Sequence, residues 1–427
     1  MSVLESLYTG GVRALTPLLP LLARGEGKLA RGVRGRARVL DRMEAWVRRS
    51  RDPARPLVWF HAPSVGEGLQ ARAVMEEFRA RRPEAQVVYT FFSPSAEGFA
   101  RRLPVDLADY LPLDLPGEVA RALDALRPDV LAFSKYDVWP NLTREAARRG
   151  VRLALLSATL PPGSSRLRGP ARALLAPSYR RLDVVAAISG ADAARFGALG
   201  VPPGRRTVMG DARFDQVWAR AAAVDRDSAL LAPLRDPVRP TLVAGSTWPP
   251  DEERLIPALG RIARESPVRL VLVPHEPTPE HLAGAERRLA REGLTCRRLA
   301  DAAEGAPEDV VLVDRVGVLG ELYALADVAY VGGGWGGAGI HSVLEPAAFG
   351  APVLFGPRHA NAREAAELVA AGGAFDPAGD LGLEERLRTL LTDPAARAPA
   401  GEAAREFVRR GLGAAARGAD VIVNCEF

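Results

Sequence analysis

Apolar residues gather along this chain into runs of five to eight, and each run is followed by a segment with helix-like spacing. The first series predicts strands near 56–62 (PLVWFHA), 86–92 (QVVYTFF), 129–134 (DVLAFS), 151–158 (VRLALLSA), 184–189 (VVAAIS) and 207–211 (TVMGD). A second series follows at 241–247 (TLVAGST), 269–275 (RLVLVPH), 310–314 (VVLVD), 328–333 (VAYVGG) and 352–357 (PVLFGP). The runs are continuous rather than alternating, which is the pattern of strands covered on both faces. Strands that alternate with helices imply parallel α/β sheets. Residues 223–240 hold three prolines and mixed charge and read as a connection. The expected fold class is α/β, with two Rossmann-like doubly wound domains at 52–222 and 241–427. Ligands of such folds sit beyond the C-terminal strand ends, so two facing domains would form a cleft.

The N-terminus departs from this pattern. Residues 14–23 (ALTPLLPLLA) are uncharged and mostly apolar. As a helix they would span roughly 15 Å, half a hydrocarbon core, and Pro17 and Pro20 interrupt them. They predict neither a spanning helix nor a cleaved signal. From Arg24 to Arg51 there are ten basic residues and three acidic ones, a local excess of +7. The whole chain carries +5, so the remainder carries about −2 and the basic excess is local. An apolar stretch followed by a basic run suits contact with an anionic leaflet. It equally suits a core helix followed by a solvated one. Residues 1–51 are therefore set apart as a candidate membrane-contact segment.

Composition narrows the class further. With 48% hydrophobic and 26% charged residues the chain is globular rather than disordered. Cys296 and Cys425 lie far apart and outside any CxxC pattern, which argues against a disulfide framework and a structural zinc site. The five histidines lack ligand spacing, and no metal or cofactor is expected. Charge confined to one end, without an aromatic-basic platform, argues against nucleic-acid binding.

Candidate chemistry lies at strand ends. In FHAPSVGEG (60–68), Glu67 sits between two glycines where a strand hands over to a helix. Ser64 and Glu67 fit the S-x-x-E capping box. The same place suits a carboxylate in a ligand crevice, with glycines allowing close approach and a hydroxyl within reach of a general base. Lys135, at the end of the strand near 129–134, suits an anionic group, and so does Arg213 in GDARFD. In the second series, Ser246 and Thr247 suit either a phosphate or a helix cap, and Pro274–His275 ends a strand. The glycine-rich turn of YVGGGWGGAGIHSVLEP (330–346) predicts a helix starting near His341 or Ser342, whose N-terminus suits a phosphate. Ser342, Val343, Leu344 and Glu345 again fit a capping box. Two-domain nucleotide-sugar transferases also commonly hold the ribose with a carboxylate in this helix.

Together HAPSVGE, VWPNL, ALLSATL, GDARFD, GSTW and GIHSVLEPAAFGAPVLFGP resemble the Kdo transferase family of bacterial lipopolysaccharide synthesis, over most of the chain. Kdo is 3-deoxy-D-manno-octulosonic acid. The resemblance implies the GT-B glycosyltransferase fold and an enzyme on the cytoplasmic face of the inner membrane. It implies CMP-Kdo as donor and a lipid A precursor as acceptor. It puts the catalytic base on Glu67 and CMP contacts on Pro274–His275, Val316, Gly317 and Val318, and Ser342 to Glu345. Many members carry an arginine at His275, an acidic pair at Lys135 and Asp137, and Asn-Pro at Ser342-Val343; some branches share the pattern seen here. The implied reaction is inverting transfer. Two rivals stand beside it: a GT-B transferase using another nucleotide sugar, and a non-catalytic membrane-associated carbohydrate-binding protein.

Overall fold

The computed structural model describes residues 3–301, 308–377 and 379–426. It divides into two units, residues 1–216 with 412–427, and residues 217–411. The first unit is built on β1 (Leu57–His61), β2 (Gln86–Phe91), β3 (Leu107–Tyr110), β4 (Val130–Ser134), β5 (Arg152–Ala158), β6 (Val184–Ala187) and β7 (Arg206–Val208). The second is built on β8 (Thr241–Thr247), β9 (Arg269–Pro274), β10 (Cys296–Arg298), β11 (Val310–Leu312), β12 (Val328–Val331), β13 (Val353–Phe355) and β14 (Ala374–Phe375). The sheets run β3-β2-β1-β4-β5-β6-β7 and β10-β11-β9-β8-β12-β13-β14, and every pairing is parallel.

Each sheet has one place where the chain, having moved outward in one direction, returns and moves outward in the other. In the first sheet it lies between β1 and β4, in the second between β8 and β12. Helices leaving neighbouring strands there diverge to opposite faces and leave a crevice. The central strands are buried along their whole length, which is why they read as continuous apolar runs.

The unit boundaries differ from those the sequence predicts. The N-terminal residues are not a separate segment, because helix Val39–Ser50 buries Val39, Met43 and Trp46 in the first core. Residues 223–240 are not a free linker, because Leu231 and Leu234 lie in a core of the second unit. Helix Arg213–Ala222 carries the chain from one unit to the other. The last helix, Ala414–Glu426, belongs to the first unit and not to the second. Asp215 accepts from the backbone N–H groups of Gly413 (2.7 Å) and Ala415 (3.0 Å), and Arg417 donates to the Met209 carbonyl at 2.7 Å. Ala414, Ala415, Ala419 and Ile422 join the first core.

The first helix, Val3–Leu15, is turned the unusual way round. Its polar residues face the protein: Glu5 pairs with Arg181 at 2.8 Å, and Thr9 donates to Asn141 at 2.9 Å. Val3 and Leu7 are 76% and 65% exposed, and Leu15, Leu18, Leu21, Leu22 and Leu29 continue the exposed apolar row. Pro17 and Pro20 start two short turns, Thr16–Leu18 and Leu19–Leu22, instead of one long helix. Among the described residues no helix is long and apolar enough to cross a membrane.

Removing residues 412–427 is expected to lower the denaturation midpoint of the first unit markedly, because it strips apolar partners from that core. Two-probe chemical denaturation checks this; an unchanged first transition would remove the helix from that core.

Candidate active site

Glu67 stands in the first turn of helix Val65–Arg81, directly after β1. The expected capping box is not formed. Ser64 is the N-cap residue, yet its side chain bonds no backbone N–H and donates instead to Glu67 Oε2. Lys135 Nζ, just beyond β4, donates to Glu67 Oε1 at 3.0 Å. The crevice between β1 and β4 thus brings the two residues together across 68 positions of sequence. Burial pushes the Glu67 carboxyl up. The Ser64 hydroxyl and the Lys135 ammonium outweigh it, so the group lies below its ordinary value and is held as a carboxylate.

The flanking glycines do different work. A Cβ on Gly68 would lie 2.6 Å from Phe99 Cε1 and 2.7 Å from the Tyr89 hydroxyl, so this glycine lets the helix close on β2. A Cβ on Gly66 would meet only Ser64 Oγ at 3.9 Å, so this is the open side. His61, fully buried in β1, accepts from the Trp139 indole N–H at 3.1 Å through Nε2. An indole nitrogen only donates, so the His61 proton is on Nδ1, 3.0 Å from Thr90 Oγ1. This fixes the start of VWPNL against β1. Arg213 forms two bonds to Asp211 (2.9 and 2.7 Å), which gives its guanidinium a structural partner.

In the second unit the candidate residues follow the C-terminal edge of neighbouring strands. Val316, Gly317 and Val318 lie beyond β11, Pro274–His275 ends β9, Ser246–Thr247 ends β8, and Ser342 to Glu345 follow β12. Ser246 has φ 52°, at an irregularity in the β8–β9 register. Gly317 has φ 91° and puts Val316 in the open, 75% exposed.

Several expectations change here. Thr247 is fully buried and its hydroxyl donates to Glu252 at 3.0 Å, which takes it out of the phosphate-binding set. The helix after the glycine-rich turn begins at Leu344, with Val343 as N-cap, and ends at Ala348. Neither Ser342 nor Glu345 forms a capping box, and a helix of this length offers little dipole. Glu345 pairs with Arg220 at 3.2 Å; burial raises its carboxyl against the pull of that guanidinium. The glycines are mostly required by packing. A Cβ on Gly332 would strike the backbone of Ser246, and one on Gly334 would lie 2.6 Å from Gly356 N.

Three participants escape the sequence patterns. Buried Asp251 accepts from Trp248 N (2.9 Å), Gly333 N (2.9 Å) and the Tyr330 hydroxyl (3.0 Å), and so ties the turn after β8 to the turn after β12. Trp248, His275 and His341 form a column of rings with centroids 4.7 and 4.4 Å apart. Burial, then the charge of His275, lowers the His341 value and favours its neutral form. His341 was visible only as the residue before Ser342; nothing in its spacing pairs it with His275.

The sequence profile described as 3-deoxy-D-manno-octulosonic-acid transferase (kdotransferase) matches residues 37–216. The chain is 30% identical over 446 residues to the 3-deoxy-D-manno-octulosonic acid transferase of Bordetella pertussis, an alignment covering 98% of each. The chain belongs to the Kdo transferase family. The transferase of Haemophilus influenzae is 27% identical over 374 residues, 86% of each chain. Among solved structures, UDP-GlcNAc 2-epimerase from Neisseria meningitidis gives a TM-score of 0.60 at 13% identity, covering 87% of this chain and 99% of that one. A glycosyltransferase from Rickettsia africae gives 0.57 at 10%, covering 87% and 98%. The likeness is one of fold: with two doubly wound sheets the chain has the GT-B fold, and its membership of the Kdo transferase family makes it a glycosyltransferase.

The Thr247 partner is itself tied down. Both ring nitrogens of His281 face acceptors, Glu252 Oε1 at 2.9 Å and the Glu276 carbonyl at 3.0 Å, so the imidazolium is the form that satisfies both. The Glu252 bond raises the His281 value above 6.5, despite burial. A raised folded value stabilises fully below the unfolded value and is lost as pH rises through the folded one. The second unit should therefore lose stability on going upward from about pH 6.5. His281→Gln should remove that component; an unchanged pH slope in denaturant titrations would contradict the assignment.

Proposed function

We propose that this member of the family moves Kdo from CMP-Kdo to a lipid A precursor with inversion, and that Glu67 is the general base. The observation carrying this reading is the Glu67 carboxylate itself. It sits at the β1/β4 switch point, ionised, and held by Ser64 and Lys135 rather than spent on capping its helix.

In the proposed step a glucosamine 6′-hydroxyl oxygen of the acceptor attacks the anomeric carbon of Kdo. The bond from that carbon to the CMP phosphate oxygen breaks, through an oxocarbenium-like state. The hydroxyl proton passes to Glu67. CMP departs as a phosphate monoester and needs less protonation than a sugar alkoxide would. The donor contacts we assign lie on the second unit: Ser246 toward the phosphate, Pro274–His275 and Val316–Val318 toward the nucleotide, and Ser342 to Glu345 with the Glu345 carboxylate toward the ribose. The backbone of Ser246 supports its part, because φ 52° at a strand irregularity turns the residue out of the regular pleat.

The outward apolar row of the first 29 residues supports peripheral or monotopic contact with the inner leaflet. A helix docked by its polar residues with its leucines outward is the reverse of a surface helix in water. The basic run that follows supplies attraction for anionic headgroups and for the anionic acceptor.

Glu67→Gln should abolish acceptor-dependent CMP release, a loss of at least about a hundredfold for a positioned base, while leaving the melting temperature close to wild type. The assay supplies CMP-Kdo generated in situ and the precursor in detergent. Substantial turnover in the variant would contradict the base assignment, and binding without release by the wild type would favour a non-catalytic module. Replacing Leu7, Leu18 and Leu21 by serine should weaken co-sedimentation with anionic phospholipid vesicles without loss of fold; equal co-sedimentation would remove the leaflet role.

A further inference from the structure

Lys135 is conspicuous for its backbone. It has φ 68°, in the left-handed region that suits glycine and is unfavourable for a side chain. The conformation is fixed from both sides. Its N–H donates to the Leu156 carbonyl at 2.8 Å, and its carbonyl accepts from Thr159 N at 3.1 Å. Glycine would occupy this position without strain, and so would a turn with no side chain aimed anywhere. Here a lysine occupies it, and its ammonium ends 3.0 Å from Glu67 Oε1. Strain of this kind persists where surrounding structure imposes it and function uses it.

The groups facing Glu67 are few. Lys135 approaches from the end of β4 and Ser64 from its own turn, and Tyr89 on β2, whose hydroxyl donates to the Ala62 carbonyl, lies near enough to feel the Glu67 charge. Tyr89 is raised by burial and by the Glu67 charge, so it stays neutral. Lys135 is the ion-pair partner of Glu67. Its ammonium also lies 5.7 Å from the Tyr136 ring, a face that suits a cation.

We propose that Lys135 is a positioning residue for the Glu67 base: its ammonium fixes one carboxylate oxygen and keeps the group ionised while an acceptor hydroxyl is in place. This rests on the reading of Glu67 given above. A half-buried carboxylate without a cation would take up a proton from solvent as pH falls, and it would swing between rotamers. The pair makes Glu67 a weaker base in the resting protein. That weakness is tolerable, because the attacking hydroxyl becomes acidic only as its oxygen bonds to the anomeric carbon. Availability and aim then matter more than resting basicity.

The test uses the 427-residue chain and three variants: Lys135→Met, which keeps most of the aliphatic stem without the charge, Lys135→Gly, which suits the backbone, and Lys135→Arg, which keeps the charge. Met and Gly should lower kcat by roughly tenfold, a fraction of what a general base contributes, with KM for both substrates near wild type. The acid limb of their pH profiles should move to higher pH, and Arg should restore most of the rate. Carbon-13 spectra of glutamate-labelled protein, with Glu67 assigned through Glu67→Gln, should show its carboxyl titrating at higher pH in the Met and Gly variants. An unmoved titration with Glu67→Gln inactive would refute the role of Lys135 alone. A raised donor KM with kcat unchanged would make Lys135 a direct substrate contact and overturn the inference. If Glu67→Gln still turned over, the base reading would fall first and the positioning role with it.

Discussion

A parallel sheet buried on both faces can be crossed only by helices on its outside, and the right-handed crossover fixes the side on which each helix lies. When the chain returns to the middle of such a sheet, two neighbouring strands send their helices to opposite faces. The crevice between them is a geometric necessity, and it exists before any residue is chosen to fill it. This chain meets the constraint twice, at β1/β4 and at β8/β12. The polar groups that converge in each unit are those the strand ends deliver there: Glu67 and Lys135 in one, Ser246, Trp248 and the glycine-rich turn in the other.

The two crevices are stiffened by related means. In each, a residue other than glycine takes a left-handed conformation at a strand end, Lys135 after β4 and Ser246 at the end of β8. In each, a carboxylate joins the segments that follow the two strands. Glu67 binds Lys135 by an ion pair, and Asp251 binds Trp248 N and Gly333 N by hydrogen bonds. The roles differ with burial and partner. Asp251 is fully buried with neutral donors around it and acts as a tie. Glu67 faces a cation, and the turn beside it stays open at Gly66.

Much of this was legible in the residues. Strands such as β1, β4, β8 and β9 are central and covered on both faces, so burial imposes an unbroken apolar run. β3, β10 and β14 went unseen for the converse reason. They are edge strands of two to four residues, and Cys296–Arg298 carries two arginines that an edge can leave in water. The place of Glu67 was readable from its strand–turn–helix context, but S-x-x-E spacing cannot say whether serine bonds the backbone or the carboxylate. At Thr247 the local pattern misleads, because its partner Glu252 is set by a tertiary bond to His281. The unit boundaries do not follow from linear order, which says nothing of where Ala414–Glu426 packs.

That last helix bears on how the protein is made. The second unit is one uninterrupted stretch, 217–411, and every contact within it is available once that stretch has left the ribosome. The first unit is split, and its core takes in Ala415, Ala419 and Ile422. The strands of its sheet are made well before the residues that complete its core. The first unit therefore stays incomplete for most of translation, with its sheet already made and its core still lacking Ala415, Ala419 and Ile422.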